Sequence, residues 1–101
     1  MTPSARIAAS VEITGEIEAR KRPAADVLKD WGLTHRFAGA KDRAAIASLV
    51  YDGQRRRASS AFIMGAETPR AIVLGALRQM HDMGASSLPR YARVRRMRRR
   101  L

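Results

Sequence analysis

Arginine is the residue type in this chain that could do the most chemistry, and its placement points to anions. Arg55, Arg56 and Arg57 stand together, and Arg90, Arg93, Arg95, Arg96, Arg98, Arg99 and Arg100 crowd the last twelve positions with no acid among them. A guanidinium presents a planar fork of donors that matches phosphate oxygens and stacks on bases. The formal charge of +11 is uneven: residues 1–53 carry 8 basic and 7 acidic side chains, residues 54–101 carry 12 and 2. Every cation in the second half is arginine. These ten arginines are the candidate RNA-binding residues, and RNA is the first partner to consider. Abundant arginine and alanine with few lysines also follow from GC-rich coding, which is the neutral explanation of the same charge.

Other chemistry has little to work with. There is no cysteine, so thiolate nucleophiles, disulfides and thiolate metal sites are excluded together. His35 and His81 have no second His or Cys at ligand spacing, so no metal is expected. His35 reads as a hydrogen-bonded structural residue. No Gly-x-Gly occurs, and with it goes the glycine-rich turn of a nucleotide or methyl-donor site. Asp42, Asp52 and Glu67 are scattered beside arginines and read as surface pairing. No catalytic residue and no cofactor are therefore assigned, and the chain is read as a non-enzyme.

The elements that must position the arginines are helical. A chain of 101 residues makes one domain, with 46% hydrophobic and only 5% aromatic residues. Alanine at 18 positions and dispersed breakers favour an all-α fold, a small bundle of four to five helices. Thr2-Pro3 starts the first helix, expected to run to Ala19 with Ile7, Val11, Ile13 and Ile17 on one arc. After the basic turn Arg20-Lys21-Arg22, Pro23 starts a shorter helix with Val27, Leu28 and Trp31 inward, expected to end at Gly32.

A loop over residues 33–40 leads to a helix spanning Lys41–Arg57. Its stripe of Ile46, Leu49, Val50 and Gly53 follows the helical period. Asp42 suits its first turn, and the three arginines suit its C-terminal end. Arg57, near the apolar stripe, has the alternative of lying over neighbouring helices or pairing with an acid. Ser59-Ser60 is expected to bend this helix, with Phe62, Ile63 and Met64 supplying an apolar patch up to Gly65. Thr68-Pro69 starts the last helix, expected to be the most buried, with Ile72, Val73, Ala76, Leu77, Met80 and Met83 on its apolar face and a stop at Gly84. The two apolar stripes are expected to meet in one core.

The domain thus spans 1–84, followed by an Arg-rich tail, 85–101, expected to be disordered until an anion binds. Tyr91, Val94, Met97 and Leu101 give that tail a narrow helical stripe. The rings ahead of it read as core-bound, which argues against base stacking. No apolar run of about 18 residues exists and the N-terminus lacks the order of a secretory signal, so a cytoplasmic protein without membrane contact is expected.

Several of these features also occur together in a known family. The opening helix with Ile7, Val11 and Ile17, the Leu28-x-x-Trp31 helix, Asp42-Arg43-Ala44, and Leu49-Val50-Tyr51-Asp52-Gly53 leading to Arg56 resemble the NusB-like domain that precedes the catalytic domain of RsmB/NOP-type rRNA cytosine methyltransferases. The segment from Asp30 to Gly39, Asp-Trp-Gly-Leu-Thr-His-Arg-Phe-Ala-Gly, is the most specific part. The resemblance covers Ala5 to about Leu77 and implies a helical domain that contacts rRNA. In the family a separate domain binds S-adenosylmethionine and supplies the catalytic cysteine. Here the helical domain looks incomplete, and the ending after about Met80 departs from the family as a shifted reading frame would. The resemblance therefore implies RNA association, with a methyltransferase domain as a conceivable partner, and no methyl transfer by this chain. The alternatives are an antitermination-type factor joining RNA to a transcription-complex protein, and a nonfunctional truncated product.

Overall fold

The structure, a computed structural model, describes residues 1–85, with side chains to Asp82. Five α-helices account for most of them: α1 (Pro3–Arg20), α2 (Ala24–Thr34), α3 (Ala40–Arg55), α4 (Arg57–Met64) and α5 (Pro69–Ala85). No strand occurs among the described residues, and the fold is all-α. The side chain of Met83, the stripe Tyr91, Val94, Met97 and Leu101, and the seven arginines from Arg90 to Arg100 lie outside the described residues.

Two helices start as their sequences dictate. The Thr2 hydroxyl accepts the Ala5 N–H at 3.1 Å and the Thr68 hydroxyl accepts the Ala71 N–H at 3.2 Å, each followed by a proline, which has no N–H in need of an acceptor. α1 closes through Lys21 in the left-handed region, φ 52°, with its N–H donated to the Ile17 carbonyl. The chain then turns, and Arg22 bonds Asp30 on α2 at 2.5 Å.

α5 runs through Gly84, expected as its stop, to Ala85, and two other expected boundaries move further. α2 does not stop at Gly32 but runs to Thr34, whose hydroxyl bonds back to the carbonyls of Asp30 and Trp31 while the His35 N–H caps Trp31. The expected Lys41–Arg57 helix ends at Arg55, and the break falls at Arg56 rather than at Ser59-Ser60. Arg56 has φ −106° and ψ 20°, which interrupts the helix, and Arg57 opens α4.

One apolar cluster joins the first three helices: Ala9 and Ile13 of α1, Val27 and Trp31 of α2, Ile46 and Val50 of α3, and Ala38 from the intervening loop. On the other side, Ile72, Val73 and Ala76 of α5 are completely buried but lie outside this cluster, so the stripes of α3 and α5 do not share the one core expected of them. Leu49 and Leu77, expected at the centre, are only half-buried, and Met80 is exposed.

Glycine sets the spacing around α5, which packs on α1, α3 and α4. A Cβ on Gly15 of α1 would meet Pro69 Cγ at 3.6 Å, and one on Gly53 of α3 would meet Ile72 Cγ2 at 3.3 Å. The closest approach is between α4 and α5, where a Cβ on Gly75 would lie 2.5 Å from Ser60 Cβ. The Gln79 amide of α5 then donates to the buried Ser60 hydroxyl at 3.0 Å. Small residues buy proximity, and a polar clamp fixes the register.

Candidate nucleic-acid interface

Arg55, Arg56 and Arg57 straddle the α3–α4 joint, and the fold gives each a different neighbour. Arg55, in the last turn of α3, pairs with Asp52 one turn earlier. Its side chain stays 74% exposed, whereas Asp52, expected at the surface, is buried, so the guanidinium holds that carboxylate while turning its remaining donors to solvent. Arg56 donates to Gln79 Oε1 at 3.4 Å, joining a set of hydrogen bonds in which Ser59 and Ser60 also contact Gln79. Arg57 sits at the start of α4, where a cation opposes the positive end of the helix. Glu18 of α1 supplies the balancing charge through an ion pair with its guanidinium, the alternative that the sequence left open for this residue. The cluster thus acts first as a joint, with Arg55 its most available cation.

Asp42 is tied up differently from expectation. Its carboxylate pairs across to α1 rather than along the surface: Arg6 donates to Oδ1 at 2.7–2.8 Å, and the N-terminal ammonium lies 3.4 Å from Oδ2. The Arg6 hydrogen bond, with help from the N-terminal amine, holds this carboxyl below the usual carboxylate range, against the opposing effect of burial. Glu67, also expected in surface pairs, is exposed and makes none among the described residues.

His35 has the structural role expected of it. Its ring stacks on Trp31 with centroids 4.2 Å apart, and Nδ1 lies 2.9 Å from both the Trp31 carbonyl and the Thr34 hydroxyl. Trp31 is 8% exposed, as a core residue should be. The other rings ahead of the tail correct the expectation that they are core-bound. Phe37 is 73% exposed, Phe62 89%, and Tyr51 is exposed as well. Each lies where its element has run out of core: Phe37 in the α2–α3 loop, Tyr51 on the outer side of α3, Phe62 on the short α4. Flat faces for base stacking are therefore present at the surface.

Cations that the sequence did not single out also stand exposed without an ion pair among the described residues. Lys29 of α2, Arg36 of the loop, and Lys41 and Arg43 of α3 surround the α2–α3 corner, and Arg70 and Arg78 lie on α5. Arg36 adjoins exposed Phe37, a neighbourhood legible in the sequence as a basic-aromatic pair in a loop. Among the described residues no group of three His, Asp or Glu could hold a metal ion, and no helix is long and apolar enough to cross a membrane. No protein-family model, no curated protein and no solved structure matches this chain.

Proposed function

We propose that this chain is an RNA-binding helical module of the NusB-like kind, related to the domain that accompanies rRNA cytosine methyltransferases, and that it supplies affinity for rRNA without transferring a methyl group. One observation carries the reading: 12 of the 20 basic residues but only 2 of the 9 acids fall in residues 54–101. Five acids of the helical body are held in ion pairs with cations of that same body. The exposed Phe37 beside Arg36 adds a stacking surface to what is otherwise phosphate attraction.

Fluorescence anisotropy with a labelled rRNA hairpin at several salt concentrations tests it. If the tail and Arg55 region together neutralise about five phosphates of an unpaired strand, log affinity falls against log salt with a slope near −3.5. Deleting residues 90–101 removes most of that slope. Arg55→Ala removes less than one unit, because its charge is shared with Asp52. Phe37→Ala weakens binding to the unpaired loop more than to a blunt duplex. A salt-insensitive complex, or a tail deletion without effect, overturns the reading. Calorimetric titration with S-adenosylmethionine is expected to show no binding, and saturable micromolar binding would refute the non-catalytic assignment. The alternative of a factor that also joins a protein partner draws support from the α2–α3 face.

A further inference from the structure

Between α2 and α3 lies an open hollow of about 510 Å³. Leu28, Trp31 and Ile46 line it together with Ala44, Ala47 and Tyr51, so its walls are apolar, with two rings set among short aliphatic side chains. A second hollow of about 430 Å³ shares Ala47 and Tyr51 with the first and continues along α3 to Arg55. Of the α3 residues involved, Ala40, Ala44, Ala47 and Tyr51 recur at helical spacing beside the buried stripe, whose Ile46 forms part of the floor. From Ala40 to Arg55 this face is about 22 Å long, the length of about fifteen helical residues.

Its charge is one-sided. Lys29 and Arg43 line the first hollow, both exposed and without an ion pair, and no acid lines it. In the second, Asp52 is already paired with Arg55. Two of the three buried polar side-chain atoms without a partner among the described residues, Trp31 Nε1 and Gln54 Nε2, belong to residues of these two hollows, and both are donors. The surface offers cations around an apolar floor, and asks for an apolar stripe flanked by carboxylates.

We propose that the α2–α3 groove docks an acidic amphipathic helix of a partner protein, its apolar side chains on the alanine-lined floor and its carboxylates on Lys29 and Arg43. Helices recognised this way present anchors at i, i+4 and i+7 to a groove. RNA is the poorer occupant, because Trp31 is buried and already stacked on His35, which leaves bases only the Tyr51 ring among the lining residues to stack on. A second copy of this chain, or its own arginine-rich end, would bring cations to cations.

The test uses the full chain and a fluorescein-labelled peptide of about sixteen residues, with leucine at i, i+4, i+7 and i+11 and glutamate at the flanking positions, beside a counterpart with lysine for glutamate. The acidic peptide binds saturably and about tenfold or more tightly than the lysine peptide. Ala44→Trp fills the groove at an exposed position without changing charge, so a loss of about tenfold or more cannot be ascribed to the arginines of the tail. The pair Lys29→Glu and Arg43→Glu, both exposed, reverses the peptide preference and serves as the test if Ala44→Trp fails to fold. Binding unchanged by Ala44→Trp, or no binding at all, overturns the proposal. So does an Ala44→Trp chain that loses affinity for the rRNA hairpin but not for the peptide, which would assign the groove to nucleic acid. Deleting residues 90–101 leaves the effect of Ala44→Trp on peptide binding intact while RNA affinity falls, so failure of one reading is distinguishable from failure of the other.

Discussion

Replacing Gly75 by alanine tests the tightest contact in the fold. In an ordinary helix interior this change stabilises by about 1 kcal/mol, because alanine loses less backbone freedom. Here the new methyl would lie 2.5 Å from Ser60 Cβ and 2.8 Å from Ser60 Cα, where carbon atoms prefer about 3.5–4.0 Å. The obstacle includes backbone, so no rotamer change relieves it and α4 must retreat by about 1 Å. That retreat also lengthens the 3.0 Å bond from the Gln79 amide to the Ser60 hydroxyl. Overpacking of this kind costs about 1–3 kcal/mol, and adding the strained hydrogen bond outweighs the helix propensity gain, leaving a net loss of about 1–2 kcal/mol. For a domain of this size the midpoint falls by about 5–10 °C. Gly15→Ala is the matched control: its methyl meets Pro69 Cγ at an ordinary 3.6 Å, so it gains up to about 1 kcal/mol. Circular dichroism melts and urea titrations of both variants, with Gly75→Ala repeated in a Ser60→Gly background, give the sign and the coupling. A Gly75→Ala chain as stable as the parent would refute the α4–α5 spacing.

Three other outcomes are expected. Thr14→Val keeps the shape of a fully buried side chain whose hydroxyl lacks a partner, so urea unfolding should show stability unchanged or raised by up to about 1 kcal/mol; a loss above that would mean the hydroxyl is bonded. Lys21→Gly relieves a left-handed conformation costing a side-chain-bearing residue about 1–2 kcal/mol, and after the greater flexibility of unfolded glycine a gain of about 0.5–1 kcal/mol remains in thermal melts. The Asp42 carboxyl is held below its ordinary value, so its contribution is present above the unfolded value near 4 and is lost as pH falls through the folded one; Asp42→Asn should therefore be less stable than the parent at pH 7, with a gap that closes in acid, and a gap independent of pH would refute the Arg6 pairing.

What could be read from the sequence was local. The Thr-Pro starts of α1 and α5 are complete within four residues, and hydroxyl, proline and first free N–H all lie in the string that encodes them. The apolar period of α3 likewise placed Ile46 and Val50 in the core. Errors arose where a nearby hydrogen bond overrides a stop signal or where a distant element decides. Gly32 looked like a stop, but Thr34 and His35 bond back to the preceding turn and carry α2 onward. Phe37 and Phe62 looked like core residues by type, yet composition cannot say which apolar residues exceed the interior available. In the candidate site, Arg55 to Arg57 were visible as a cluster. That Glu18, 39 positions away, neutralises one of them was not, and neither was the α2–α3 groove, which exists only once two helices lie side by side.

The position of α5 bears on the order in which the chain can fold as it is synthesised. The cluster of Ile13, Val27, Trp31, Ile46 and Val50 is encoded before residue 56, so α1, α2 and α3 can collapse together while α5 is still in the ribosome. Until Pro69 emerges, Gly15 and Gly53 present bare, close-packing surfaces with nothing seated on them. The nascent intermediate therefore carries an open apolar flank shaped for one particular helix, and the interval before α5 arrives is when this small protein is most exposed to aggregation and to chaperones.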